Sequence, residues 1–237
     1  AQWFVRGVPK VKKAFAKVWG TNDLLTSFDG VSLWRPWNID PSWKTQSGQA
    51  WFHIDQHPIS KPGKQCIQGL INLLPTSKEI GGNVVIPKSH NFFKDLPEEY
   101  KERVERLPLD IDHFRFPHDD PKLSSEPAVM AHMEPGDMLL WDSRTIHCSS
   151  SGSSLPEGTN DLIRAASLIC MMPKKLSSKE ILEKRIHAAE NLVSTTNWTN
   201  DFRNADEFPI ILEAENRDQY KWPKKPNLSD YQKELIA

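Results

Sequence analysis

The stretch Gln65-Cys-Ile-Gln-Gly-Leu-Ile-Asn-Leu-Leu-Pro-Thr-Ser-Lys-Glu-Ile-Gly-Gly-Asn-Val-Val-Ile-Pro-Lys-Ser-His90 decides how this chain is read. Residues 65–74 are an apolar run bounded by turn signals, the pattern of a buried strand. Residues 75–83 form a turn region ending in Gly81-Gly82. Val84-Val-Ile86 is a short β-branched strand, and Pro87-Lys-Ser-His90 closes it. The same grammar continues outward. Glu134-Pro-Gly-Asp137 reads as a turn before a strand over Met138–Trp141, and Leu162–Met172 as another strand. Residues 107–127, with Pro108, Pro117, Pro121, Pro127 and many charges, read as a long loop, and the Ser/Gly-rich residues 148–161 as a second. Residues 8–19 predict an amphipathic helix, with Val8, Val11, Phe15 and Val18 at spacings of three and four and Lys10, Lys12, Lys13 and Lys17 on a solvated face. A second helix is expected over 95–106 with Asp95 as N-cap. A third runs from a Ser177 cap to about residue 192, with Glu180 completing a capping box. Many short strands with few helices between them predict a mainly β fold, a barrel or double-sheet jelly roll flanked by helices.

The length of 237 residues fits one domain. It divides into an N-terminal helical part over 1–27, a β core over 28–173 and a C-terminal helical extension over 174–237. A net charge of −1 gives no bulk attraction to nucleic acid. Cys66, Cys148 and Cys170 form no C-x-x-C pair and no even framework, which favours a reducing, cytoplasmic setting. No apolar run reaches the length of a membrane span.

Chemistry concentrates in Trp51-Phe-His-Ile-Asp-Gln56 and, far downstream, in Trp141-Asp-Ser-Arg-Thr-Ile-His147. Strand side chains alternate, so His53 and Asp55 point the same way while Ile54 points to the other side. Two histidines and one carboxylate are the ligand set of a mononuclear non-haem Fe(II) site, which leaves one face of the metal open. His147 must then come from a second strand. Arg164 begins an apolar strand, where a guanidinium needs an anionic partner. Either a protein carboxylate or a bound dicarboxylate supplies one.

Taken in order, these motifs resemble the phytanoyl-CoA dioxygenase-like family of Fe(II)/2-oxoglutarate-dependent oxygenases. The likeness runs from about Phe28 to Pro173. It comprises Trp51–Gln56, Gln68-Gly-Leu-Ile-Asn-Leu-Leu-Pro75, Gly81-Gly-Asn-Val-Val-Ile-Pro-Lys-Ser-His90, Pro135-Gly-Asp137 before His147, and Arg164. Lys88 stands where the family often has glycine, and the gap from His147 to Arg164 is longer than usual. The resemblance implies a double-stranded β-helix of cupin-like, jelly-roll type. It implies Fe(II) held by His53, Asp55 and His147, 2-oxoglutarate as co-substrate with its far carboxylate on Arg164, and O2 as oxidant. The activity it implies is a dioxygenase that hydroxylates an unactivated C–H of a small molecule, releasing succinate and CO2. Related halogenases lack the carboxylate ligand, so Asp55 favours hydroxylation, with desaturation or cyclisation as variants.

Strand alternation adds candidates. Gln68 and Asn72 share a face with Leu70, and either line the co-substrate pocket or form a structural network. Trp141, Ser143 and Thr145 would share the face of His147, placing Thr145 near the cofactor. Trp34, Arg35 and Trp37, in a tryptophan-rich segment, are candidates for substrate contact or for the edge of the core. His57 is expected to support the site or the core, and His90 to hold a turn. His113 and His118 are expected on a solvated loop that covers the site. Two other readings use the same barrel: a nucleic-acid or protein demethylase, and a non-catalytic cupin-like binding barrel. The sequence names no substrate and no oligomeric state.

Overall fold

Strict alternation of side chains organises the central strands. The computed structural model describes residues 2–44, 51–201 and 224–237, which fall into two compact units. One unit comprises Ala1–Val31 with Ser167–Ala237, and the other Ser32–Ala166. In chain order the strands are β1 (Leu24–Thr26), β2 (Val31–Trp34), β3 (His53–Asp55), β4 (Ile67–Asn72), β5 (Gly81–Val85), β6 (His113–Arg115), β7 (Val129–Met130), β8 (Met138–Asp142), β9 (His147–Ser151), β10 (Arg164–Leu168) and β11 (Met171–Pro173). The helices are α1 (Gln2–Arg6), α2 (Pro9–Trp19), α3 (Leu96–Glu99), α4 (Lys101–Glu105), α5 (Lys179–Asn191) and α6 (Asp230–Glu234). Four strands form one sheet in the order β2-β10-β4-β8, and five form another in the order β6-β3-β9-β5-β7. Successive strands β3, β4 and β5, and again β8, β9 and β10, alternate between these sheets. That is the winding of a two-sheet jelly roll, mainly antiparallel, with flanking helices.

In the five-stranded sheet Ile54 lies opposite Phe114, and Val84 opposite Cys148. These residues join Phe52, Ile86, Phe93, Leu96, Val104, Phe116 and Ile146 in one buried cluster. The alternate residues therefore face the other way: His53 opposite His147, and Asp55 opposite His113. Gln68 on β4 reaches Asp55 on β3, and Arg164 on β10 reaches Ser149 on β9. The inner faces of the two sheets thus meet around these side chains.

Several expected elements differ in detail. The Ser-rich run after His147 is not a loop at its start but strand β9. Ser149, Ser150 and Ser151 lie opposite Asn83, Gly82 and Gly81, small residues against small. Gly81 has a φ of 99°, and a Cβ there would lie 2.2 Å from the Ser150 carbonyl oxygen, so glycine is required for this close pairing. The expected loop 107–127 contains β6, an edge strand too short to register between its prolines. The expected helix 95–106 is broken into α3 and α4 at Tyr100, whose ring packs edge-on to Phe114 and Phe116 and whose hydroxyl bonds to Asp120. Asp95 makes no cap bond, because it already has helical dihedrals as the last residue of a preceding 3-10 segment. The expected strand 162–172 divides into β10 and β11.

In the other unit, α2 begins at Pro9, buries Val11 and Phe15, and ends at Gly20 in the left-handed region. Strands β1 and β11 pair antiparallel. The cap of α5 is Ser178 rather than Ser177: its hydroxyl accepts from the Ile181 N–H, while the Ser177 N–H closes the turn before it. Arg185 on α5 is fully buried and donates to the carbonyls of Thr26, Thr199, Leu235 and Ile236. No described helix is long and apolar enough to cross a membrane. The three cysteines are buried.

Candidate metal centre

Two short strands and one turn place the three predicted ligands. The turn before β9 is fixed by Ser89, whose hydroxyl donates to the Ile86 carbonyl and accepts from the Ile146 N–H at 2.8 Å. Ser89, not His90, is thus the hydrogen-bonding residue of the Pro87–His90 turn. The Asp55 N–H donates to the Ser143 carbonyl at 3.0 Å, tying β3 to the same turn. His147 emerges directly beside His53.

Each histidine is oriented by its own backbone. His53 Nδ1 bonds to the Trp51 carbonyl at 2.9 Å, and His147 Nδ1 to the Thr145 carbonyl at 2.8 Å. A carbonyl only accepts, so both Nδ1 atoms carry a proton, and Nε2 is the atom that each ring turns towards Asp55. His53 Nε2 lies 3.5 Å from Asp55 Oδ1, and His147 Nε2 lies 3.3 Å from Asp55 Oδ2. One ligand atom from each residue falls within 4.8 Å of the others. Burial pushes the Asp55 carboxyl up, but the neighbouring His53 and hydrogen bonds from His113, His147 and His53 outweigh it and hold it well below the usual range. Two imidazole Nε2 atoms and an anionic carboxylate are a donor set that suits divalent iron. Trp51 stacks on His53 and Trp141 packs tilted against His147, with ring centroids 4.9 and 5.4 Å apart.

Gln68 Nε2 donates to Asp55 Oδ2 at 2.9 Å, and its Oε1 has no partner among the described residues. Its amide therefore turns towards the carboxylate ligand. Asn72, at the far end of β4, spends its amide hydrogens on the Leu74 and Met133 carbonyls. That is the structural network left open above, and it leaves no donor for a carboxylate. Thr145 lies in the turn, and alternation does not run through residues 143–146; Thr145 meets the site through its carbonyl on His147. Ser143 points elsewhere, donating to Gln56 Oε1.

Arg164 is 1 % exposed, and its guanidinium lies 4.4 Å above the Trp34 ring. Nη1 is 3.5 Å from the Ser149 hydroxyl, and Nε has no partner among the described residues. Among the described residues no carboxylate pairs with it, and burial pushes its pKa down to about 10. Trp34 thus belongs beside the arginine, whereas Arg35 is exposed and stacks on Trp43, and Trp37 lies under Lys44. His57 is buried and organises its own turn, with Nδ1 accepting from the Ile59 and Ser60 N–H groups.

His113 is the residue that sequence reasoning misplaced. It lies not on a free loop but on β6, with Nδ1 3.5 Å from Asp55 Oδ1 and its ring centroid 4.3 Å from that of His53. The segment before it is clamped by a largely buried Lys61–Asp112 ion pair. The available signal was the alternation His113-Phe-Arg-Phe116, hidden between Pro108 and Pro117.

The phytanoyl-CoA dioxygenase (PhyH) family profile matches residues 9–155, more than half of the chain, and the chain belongs to that family. It is 33% identical over 202 residues to Ava biosynthesis cluster protein O of Aspergillus versicolor, an alignment covering 82% of this chain and 61% of that protein. The chain thus spans about three-fifths of that relative's length. Among solved structures, EvdMO1 matches 69% of this chain and 30% of its own, with a TM-score of 0.42 and 19% identity. The non-heme alpha ketoglutarate dependent epimerase SnoN from nogalamycin biosynthesis matches 71% of this chain and 54% of its own, with a TM-score of 0.42 and 15% identity.

Proposed function

We propose that this chain is an Fe(II)- and 2-oxoglutarate-dependent dioxygenase that hydroxylates an unactivated C–H of a small organic molecule. The observation that carries the reading is the pairing of a two-histidine, one-carboxylate cluster with Arg164, a buried guanidinium that has no carboxylate partner among the described residues. The donor set fits ferrous iron, with His53, Asp55 and His147 as its ligands. Arg164 fits the far carboxylate of 2-oxoglutarate, which it would grip by charge-assisted hydrogen bonds with Ser149 beside it. Ser149 lies two residues along β9 from His147, roughly 7 Å at strand rise, a span comparable to a five-carbon dicarboxylate. Iron with 2-oxoglutarate and O2 supplies the oxidising power to convert C–H to C–OH, with succinate and CO2 as by-products. The chain's own residues do the rest. Trp51 and Trp141 wall the histidines, Gln68 orients Asp55, and Trp34 backs the arginine. A biosynthesis-cluster relative supports a natural-product substrate, for which desaturation or ring closure are variants of the same oxidation.

The test is anaerobic. Fe(II) is added to the protein, then 2-oxoglutarate, and the weak visible charge-transfer band of the chelate is followed. Wild type should develop the band, His53→Ala should not, and Arg164→Ala should need far more co-substrate. No band from folded wild type would overturn the proposal in favour of a binding barrel.

A further inference from the structure

We infer that His113 is a positioning residue of the metal centre, donating from Nδ1 to Asp55 Oδ1 so that Gln68 and His113 hold the carboxylate from both sides. The inference rests on the metal-centre reading above and goes beyond its three ligands. Three observations carry it. Cross-strand register puts His113 directly opposite Asp55, on the face that also carries His53. Its Nδ1 is 3.5 Å from Oδ1, at the outer edge of hydrogen-bonding range, while Gln68 Nε2 is 2.9 Å from Oδ2. Its ring packs against His53, with centroids 4.3 Å apart and planes inclined by 39°.

The chemistry follows from donors and acceptors. An ionised carboxylate only accepts, so an imidazole nitrogen facing it must carry the proton. With an outside donor on each oxygen, the carboxylate cannot swing about its Cα–Cβ bond without breaking one contact. Partners of this kind fix ligand orientation and strengthen metal binding. The side chain is 47 % exposed, so its outer half borders the approach to the site. His113 also sits on an edge strand whose lead-in is clamped by Lys61 and Asp112. The long segment after α4 therefore delivers a polar group to the metal site.

The test reads metal affinity rather than turnover. Co(II), which is stable in air and has a visible ligand-field spectrum, is titrated into metal-free protein. The set is wild type, His53→Ala, His113→Phe and His113→Asn, with thermal melts of each. His113→Phe keeps a ring against His53 but has no donor, and should bind Co(II) about 10- to 100-fold more weakly. His113→Asn places an amide N–H near the Nδ1 position and should bind close to wild type. Unchanged affinity in His113→Phe would overturn the inference while leaving the metal centre intact. Equal losses in His113→Phe and His113→Asn would overturn it in favour of direct ligation by the imidazole. Wild-type affinity no better than that of His53→Ala would overturn the metal-centre reading itself.

Discussion

Replacing Arg164 with methionine should make the ligand-free protein more stable and the co-substrate site far weaker. Burial pushes the Arg164 pKa from its ordinary value down to about 10, which corresponds to about 3 kcal/mol of penalty on the charged side chain. The stack on Trp34 returns about 1–2 kcal/mol, and the long contact to Ser149 little. Methionine has similar length and no charge, so the net gain is about 1–2 kcal/mol. For a chain of this size that raises Tm by roughly 2–6 °C. The same substitution removes a buried, charge-assisted carboxylate partner. That costs about 3 kcal/mol of binding, roughly 100-fold in Kd for 2-oxoglutarate. Denaturant titration of ligand-free protein gives the first quantity, and anaerobic titration of the iron-loaded protein the second. A methionine variant less stable than wild type by 2 kcal/mol or more, with unchanged co-substrate affinity, would mean that Arg164 is structural.

Three further substitutions test the frame. Lys88 has a φ of 62°, in the region that favours glycine, so Lys88→Gly should raise Tm on the order of 2 °C despite losing an exposed ion pair with Glu126; a lower Tm would contradict the strain argument. Gly81→Ala meets both a left-handed φ and backbone 2.2 Å away, and should destabilise by about 3 kcal/mol or more, read as a lower urea midpoint. A near-neutral result would mean that β5 and β9 separate easily. Arg185→Met removes the guanidinium from four carbonyls, of which Leu235 still accepts from the Thr26 N–H, and should cost about 3–5 kcal/mol, with faster hydrogen exchange in α5; wild-type stability would refute the argument from satisfied groups.

What the sequence disclosed followed its local periodicities. His53 and Asp55 were legible because H-x-D in a strand has one geometric outcome, and β4 because its apolar run has turn signals at both ends. The Arg164 environment was legible because an arginine opening an apolar strand has few acceptable surroundings. Three things were hidden. Ser149–Ser151 read as a loop because serine has no strand signature, and its pairing with Gly81–Asn83 is a long-range fact. Thr145 was assigned by carrying alternation through residues 143–146, where a turn interrupts the strand. His113 was lost because three residues of edge strand between prolines carry almost no pattern, although they supply a neighbour of Asp55.

Arg164 and Arg185 show why burial alone does not identify a ligand site. Both guanidiniums are almost completely buried, neither pairs with a carboxylate among the described residues, and burial pushes both pKa values down, to about 10 and about 9. Their difference lies in the donors. Arg185 places Nε, Nη1 and Nη2 on backbone carbonyls, two of them at 2.7 Å, so nothing further is needed to satisfy it. Arg164 has one long contact to a hydroxyl and an Nε with no partner among the described residues, although an aromatic ring lies against each guanidinium. A desolvated cation in that state stores free energy that an incoming carboxylate releases, whereas Arg185 has none to release. The methionine substitutions should therefore move stability in opposite directions, upward at position 164 and downward at position 185. Equal magnitudes are not required, but a shared sign would mean that unsatisfied donors do not distinguish the arginine that awaits a ligand from the one that holds the fold.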